Sequence, residues 1–192
     1  MPKIILVIGT PGAGKTSIME GITHGGHSKI YKIVNMGTEM LKEIKNKQMK
    51  RDRIRKELSA SEILRIRSKV LNGINKMHGN IVIDTHASVK AGNKIIPGFS
   101  FAELASLNKV IGIIYVDAEA KDISARRLKD KSREREMESI AEIKMHQSIN
   151  LSFAVAYSAS LNVPMYIVKN QQEMLNKAIT DTSNILKSTF GE

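Results

Sequence analysis

The sequence predicts an α/β domain of three layers: a five-stranded parallel sheet with helices on both faces. Three observations predict it. Five short apolar runs bounded by turn signals recur along the chain, and helical patterns lie between them. Several of the runs are continuously apolar, as strands covered on both faces must be. Strands that alternate with helices pair in parallel, because each helix carries the chain back to the starting edge. A length of 192 residues suits one domain whose core needs no covalent staples.

The elements follow in order. KIILVI (3–8) is the first strand, and a helix is expected to begin near Lys15. YKIVN (31–35), NIVID (80–84), VIGIIYV (110–116) and MYIVK (165–169) are the other four strands. Ser59 with Glu62, Ser100 with Glu103 and Ser139 with Glu142 each have the spacing of a capping box, in which serine and glutamate satisfy each other's backbone N–H groups at a helix start. After the first box, Ile63, Ile66, Val70, Ile74 and Met77 form an apolar stripe, leaving Arg65, Arg67 and Lys69 mostly outside. Met174, Ala178, Ile185 and Leu186 mark a last helix. The Gly and Pro content of AGNKIIPG (91–98) reads as a loop, and KDKSRERE (129–136) is polar enough for a cover over a site.

Composition excludes several classes of function. There is no cysteine, hence no disulfide framework, Cys-based zinc site or thiol chemistry. No apolar run approaches the roughly 18 residues of a membrane span, and the N-terminal run is too short for a signal-peptide core. The expectation is a soluble cytoplasmic protein without a membrane partner. A net charge of +11 invites a nucleic-acid reading, but aromatics are only 4% and no recognition signature of a nucleic-acid fold appears. The basic residues instead cluster in KNKQMKRDRIRK (45–56) and RRLKDKSRER (126–135). Each cluster is either a solvated helix face or a set of cations for phosphorylated substrates.

GTPGAGKTS (9–17) answers a separate question, whether the chain holds a phosphate cradle, and leaves both readings of the clusters open. It fits Gly-x-x-x-x-Gly-Lys-Thr after a buried strand and before a helix. Glycines at 9, 12 and 14 let successive N–H groups turn inward on an anion, and the helix start adds its positive dipole end. Lys15 then reaches the β/γ-phosphates, and the Thr16 hydroxyl can ligate Mg²⁺. In such sheets ligands sit beyond the carboxyl ends of the strands, which places this cradle, the residues after Asn35 and those after Asp84 along one crevice.

Other candidates carry two readings each. Asp84 either holds Mg²⁺, directly or through water, or caps a turn. His86, two residues on, either packs in the crevice wall or positions a substrate phosphate or water. Thr38 in GTEM (37–40) either hydrogen-bonds a second substrate or caps a helix. Arg126, Arg127, Arg133 and Arg135 are spaced to bring guanidiniums over a transferring phosphoryl group, where the protein's task is alignment and charge stabilisation.

GTPGAGKT, VNMGTEM, RDRIRK, IVIDTHASVK, ARRLKDKSRER, MHQ with the later AVAY, and IVKN together resemble the archaeal-type adenylate kinases over nearly the entire chain. The resemblance implies a nucleoside-monophosphate-kinase version of the P-loop NTPase fold, with a small acceptor-binding segment (about 36–78) and a short lid (about 126–138). It implies Mg·ATP plus AMP giving two ADP. On this likeness Gly9, Thr10, Pro11, Gly12, Ala13, Gly14, Lys15, Thr16 and Ser17 form the ATP phosphate loop, and Asn170 lies where backbone packs against adenine. Thr38, Arg51 and Arg55 fall to the AMP side, with His86 a substrate-binding candidate by its place in the crevice; Lys15, Arg127, Arg133 and Arg135 are the catalytic cations; Thr16 and Asp84 hold the metal. Where bacterial relatives place arginines after the acceptor threonine and after the strand-terminal Asp, this chain offers Lys42 and Lys90. The family often forms trimers. Two other readings compete: an atypical adenylate kinase/ATPase of ribosome assembly, and a nucleotide-gated binding module that does not turn over AMP.

Overall fold

The computed structural model describes residues 1–25, 31–44, 49, 53–130 and 138–191, without the side chains of Arg55, Lys56 and Ala91. Apolar runs become strands wherever neighbours cover them. Strands β1 (Lys3–Ile8), β2 (Tyr31–Asn35), β3 (Asn80–Asp84), β6 (Val110–Asp117) and β7 (Met165–Lys169) form one parallel sheet in the order β2-β3-β1-β6-β7. Four of these keep the bounds of their apolar runs; β6 runs one residue further, to Asp117.

Side-chain alternation along the strands divides the core in two. Ile4, Leu6, Ile8, Ile81, Ile83, Ile113 and Tyr115 face one side, covered by α2 (Met36–Glu43), α4 (Ala60–Asn75), α5 (Phe101–Ser106) and α7 (Ile140–Leu161). Ile5, Val7, Val82, Ile114, Val116 and Val168 face the other, under α1 (Lys15–His24), α6 (Ala120–Lys129) and α8 (Leu175–Phe190). Each fully buried aliphatic contributes about 1.5–3 kcal/mol. The central strand β1 supplies both clusters, and its carboxyl end is therefore the best-anchored point from which to launch a loop. A short α3 (Ile54–Glu57) lies between α2 and α4.

Two expectations are corrected. Residues 91–98 are not a loop. Strands β4 (Ser88–Ala91) and β5 (Lys94–Pro97) pair antiparallel as a hairpin around Gly92 and Asn93, with Gly92 at φ +59°. A two-residue Gly-Asn connection is a hairpin turn, and Pro97 sits harmlessly at the strand's last position. Nor does Arg67 lie outside: it is 8% exposed, on the same stripe of α4 as Ile63, Ile66 and Val70. Its burial is offset by Glu103, 3.0 Å from Nε, and by donation to the Gly98 carbonyl. Burial pushes the guanidinium below its ordinary value, against the pull of Glu103. The three capping boxes all form, at the starts of α4, α5 and α7.

Among the described residues no helix is long and apolar enough to cross a membrane. Arg51, Arg133 and Arg135 lie outside the described residues, as does most of the 129–136 cover; Arg55 belongs to α3.

Candidate phosphoryl-transfer site

The loop between β1 and α1 is shaped by what stands behind it. Gly14, the N-cap of α1, has φ +92° and no side-chain cap. A Cβ there would lie 2.2 Å from Asn170 Nδ2, so only glycine lets the loop rest on that side chain. Asn170 is 2% exposed and donates through Nδ2 to the Ala13 carbonyl at 2.8 Å, while its own N–H is held by Asp117 O at 2.7 Å. Arg126 completes the brace, donating to Ala13 O (3.3 Å), Asn170 O (2.8 Å) and Gln171 O (3.2 Å). Its neighbour Arg127 turns the other way, with Nε and Nη2 both donating to Pro11 O at 2.9 and 2.8 Å. Adjacent arginines of α6 thus grip the same loop at two different carbonyls, those of Ala13 and Pro11.

Lys15 is 4% exposed, and its ammonium donates to Gly9 O at 2.9 Å. His86 Nδ1 lies 3.1 Å from Lys15 Nζ and 3.2 Å from Gly9 O. Nδ1 accepts from the ammonium in one tautomer and donates to the Gly9 carbonyl in the other, so either form of the ring is held at this point. His86 therefore stands in the wall of the cradle. Thr16 and Ser17 are exposed on the first turn of α1.

The acidic group comes from the neighbouring strand. Asp84 pairs in register with Val7 on one side and Asn35 on the other, and is 4% exposed. Asn35 Nδ2 donates to Asp84 Oδ2 at 2.6 Å. Its Oδ1 accepts from the Thr38 backbone N–H (3.1 Å) and hydroxyl (3.2 Å), capping α2. Asn35, not Thr38, is thus the cap. The sequence reading missed Asn35, although an Asn immediately before MGTE is itself an N-cap signal.

A further carboxylate was missed. Glu138, immediately before the α7 cap, pairs with Arg127 Nη1 and lies 3.5 Å from Lys90 Nζ, which also donates to Glu142 at 2.8 Å. Its role depends on tertiary proximity, for which no local pattern exists. Farther off, a groove of about 740 Å³ lined by Tyr115, Asp117, Lys144, Gln147, Leu151 and Ile167, among others, opens along α7 and β7; it contains no cradle residue. Burial pushes the Tyr115 hydroxyl up to about 12 and raises the Asp117 carboxyl.

A glycine-shaped anion cradle on an uncapped helix start, a lysine inside it and a carboxylate one strand away define a P-loop phosphotransferase. A family model described as AAA domain matches residues 8–144. The chain is 35% identical to the adenylate kinase of Methanocaldococcus jannaschii, covering 96% of this chain and 98% of that protein. It is 29% identical to the adenylate kinase of Pyrococcus furiosus, over 100% and 99%. The shikimate kinase of Bacteroides thetaiotaomicron superposes with a TM-score of 0.63 at 12% identity, covering 96% of this chain and 98% of that one. A second shikimate kinase, from Acinetobacter baumannii, gives 0.63 at 13% identity over 100% and 97%. These two show the three-layer P-loop fold. The chain belongs to the archaeal-type adenylate kinase family, within the P-loop domains that the AAA model describes. The relatives favour this enzyme over the ribosome-assembly ATPase and the binding module.

Proposed function

We propose that the protein catalyses reversible, Mg²⁺-dependent phosphoryl transfer from ATP to AMP, giving two ADP. The observation that carries this reading is Lys15: a buried ammonium within a cradle whose helix start has no side-chain cap. Residues 9–17 bind the triphosphate of ATP, with Asn170 and its loop at the adenine. Thr38, Arg51 and Arg55 serve AMP within an acceptor segment of about 36–78, and His86, beside Lys15 in the cradle wall, serves a substrate phosphate. Lys15, Arg127, Arg133 and Arg135 stabilise the charge that spreads over the equatorial oxygens, the last three from a lid of about 126–138.

The residues present fit Mg²⁺. Among the described residues no group of three His, Cys, Asp or Glu converges on one point. A magnesium ion needs no such cage, since it takes one or two protein oxygens beside substrate phosphates and water. Thr16 and Asp84 would hold it, and the chemistry it would supply is neutralisation of phosphate charge. Asn35 fixes the Asp84 carboxylate from the acceptor side.

The same reading carries a cytoplasmic enzyme and a homo-trimer. The trimer rests on the family resemblance, and light scattering tests it. The decisive assay incubates purified protein with Mg·ATP and each of AMP, CMP, UMP and GMP, or with buffer alone, and reads diphosphate against free phosphate. ADP formation that depends on AMP is the expected result. Phosphate release indifferent to AMP refutes the reading.

A further inference from the structure

We propose that Glu138 is a positioning residue for phosphoryl transfer: its carboxylate aims Arg127 at the cradle and keeps Lys90 beside it. The inference rests on the reading of Arg127 as a phosphate-stabilising cation and adds a residue that no motif marks.

The geometry is specific. Arg127 spends three nitrogens in two directions, Nε and Nη2 on Pro11 O and Nη1 on Glu138. Its guanidinium is stretched between the cradle backbone and one carboxylate. The fit against the loop is close: a Cβ on Gly12 would stand 3.2 Å from both Cγ and Nε of Arg127. Both partners of the ion pair have side chains only 9% exposed. A pair so enclosed is unlike a solvated surface bridge, because removing one member strands the other's charge in a poorly hydrated place.

Glu138 also joins two cations from separate parts of the chain. Arg127 comes from the last turn of α6, while Lys90 comes from β4, six residues after Asp84. Two positive groups gathered there repel; a carboxylate between them offsets that repulsion and fixes their separation. Oε1 of Glu138 is buried and makes no hydrogen bond among the described residues, although Lys90 lies within ion-pair range. Glu142 takes the better contact with Lys90, leaving Glu138 chiefly to Arg127. When a nucleotide arrives, Arg127 meets its phosphates already oriented and with a counter-ion behind it. An arginine already held by Pro11 O and Glu138 loses less freedom on contact than one swinging in water.

The plainer alternative is that Glu138 only ties α6 to the start of α7. A double-mutant cycle separates the two, using Glu138→Gln, Glu138→Asp, Arg127→Ala and Arg127→Ala/Glu138→Gln in full-length protein. Each is measured for kcat, for KM of ATP and AMP, and for thermal melting. Glu138→Gln is expected to lower kcat by about tenfold with both KM values within about twofold. Glu138→Asp, which keeps the charge on a shorter arm, recovers part of the loss and serves alone if Gln does not fold. The double variant is expected to be no slower than Arg127→Ala.

Full kcat in Glu138→Gln with a lowered melting temperature overturns the proposal, as does multiplication of the two losses in the double variant. Normal turnover in Arg127→Ala also overturns it, since nothing is then aimed. A wild-type protein that forms no ADP from ATP and AMP removes the reading beneath it, and that arm is scored separately from the variants.

Discussion

The starts of α1 and α7 are the same backbone object put to opposite uses. Each presents the N–H groups of a first turn, which have no acceptor inside their own helix. At α7 the chain supplies the acceptors itself. Ser139 Oγ accepts from Glu142 N–H at 3.2 Å, and Glu142 Oε2 accepts from Ser139 N–H at 2.9 Å. At α1 the N-cap is Gly14, with no side chain to offer, and the first turn holds no acidic residue. One helix start is closed by its own sequence, and the other is left for an anion. A missing side-chain cap alone marks nothing, since α6 and α8 lack one too; what marks α1 is the glycine loop and the buried Lys15 beside its open first turn.

The largest expected effect tests the open end. Lys15→Ala should fold and lose at least about a hundredfold in kcat, on the scale of the roughly 3–4 kcal/mol of a preorganised charge-stabilising donor. Near-normal turnover would contradict the role given to this lysine. Next is Gly14→Ala, which forces a Cβ against Asn170 Nδ2 at φ +92°. It should weaken ATP binding by at least about tenfold, read by calorimetry. Melting should also fall by about 2–4 °C for each kcal/mol of strain. At the closed end the consequences reverse. Ser139→Ala should cost about 1 kcal/mol in denaturant unfolding with ATP affinity unchanged. If it moved affinity as far as Gly14→Ala does, the contrast between the two helix starts would be lost.

The smallest effect is electrostatic. Lys90, first, and then Ser139 hold the Glu142 carboxyl down from 4.5 to about 2. Because the folded value lies below the unfolded one, the stability it contributes is complete above 4.5 and disappears as pH falls through about 2. Glu142→Gln should flatten melting temperature against pH across that window. An unchanged slope would show the contact to be too solvated to matter.

Much of this was legible in the chain because it is local. Five strands announced themselves as apolar runs, the capping boxes as Ser-x-x-Glu, and the cradle as glycines with Lys-Thr. What was hidden is what tertiary contact decides. Arg126 and Arg127 are indistinguishable in sequence, yet one braces Ala13 from behind and the other reaches Pro11. Arg67 looked like surface charge because its partner Glu103 lies in another helix. The hairpin at 88–97 was masked because Gly and Pro punctuate loops as readily as tight turns. Glu138 acquires meaning only where α6, β4 and α7 meet.

Lys15 already rests on the Gly9 carbonyl and His86. A polyphosphate that engages Lys15 competes with those contacts, so calorimetry reports an exchange of companions rather than a fresh embrace. A His86→Ala protein, with one resident evicted beforehand, should release more heat per mole of ATP while turning it over no faster.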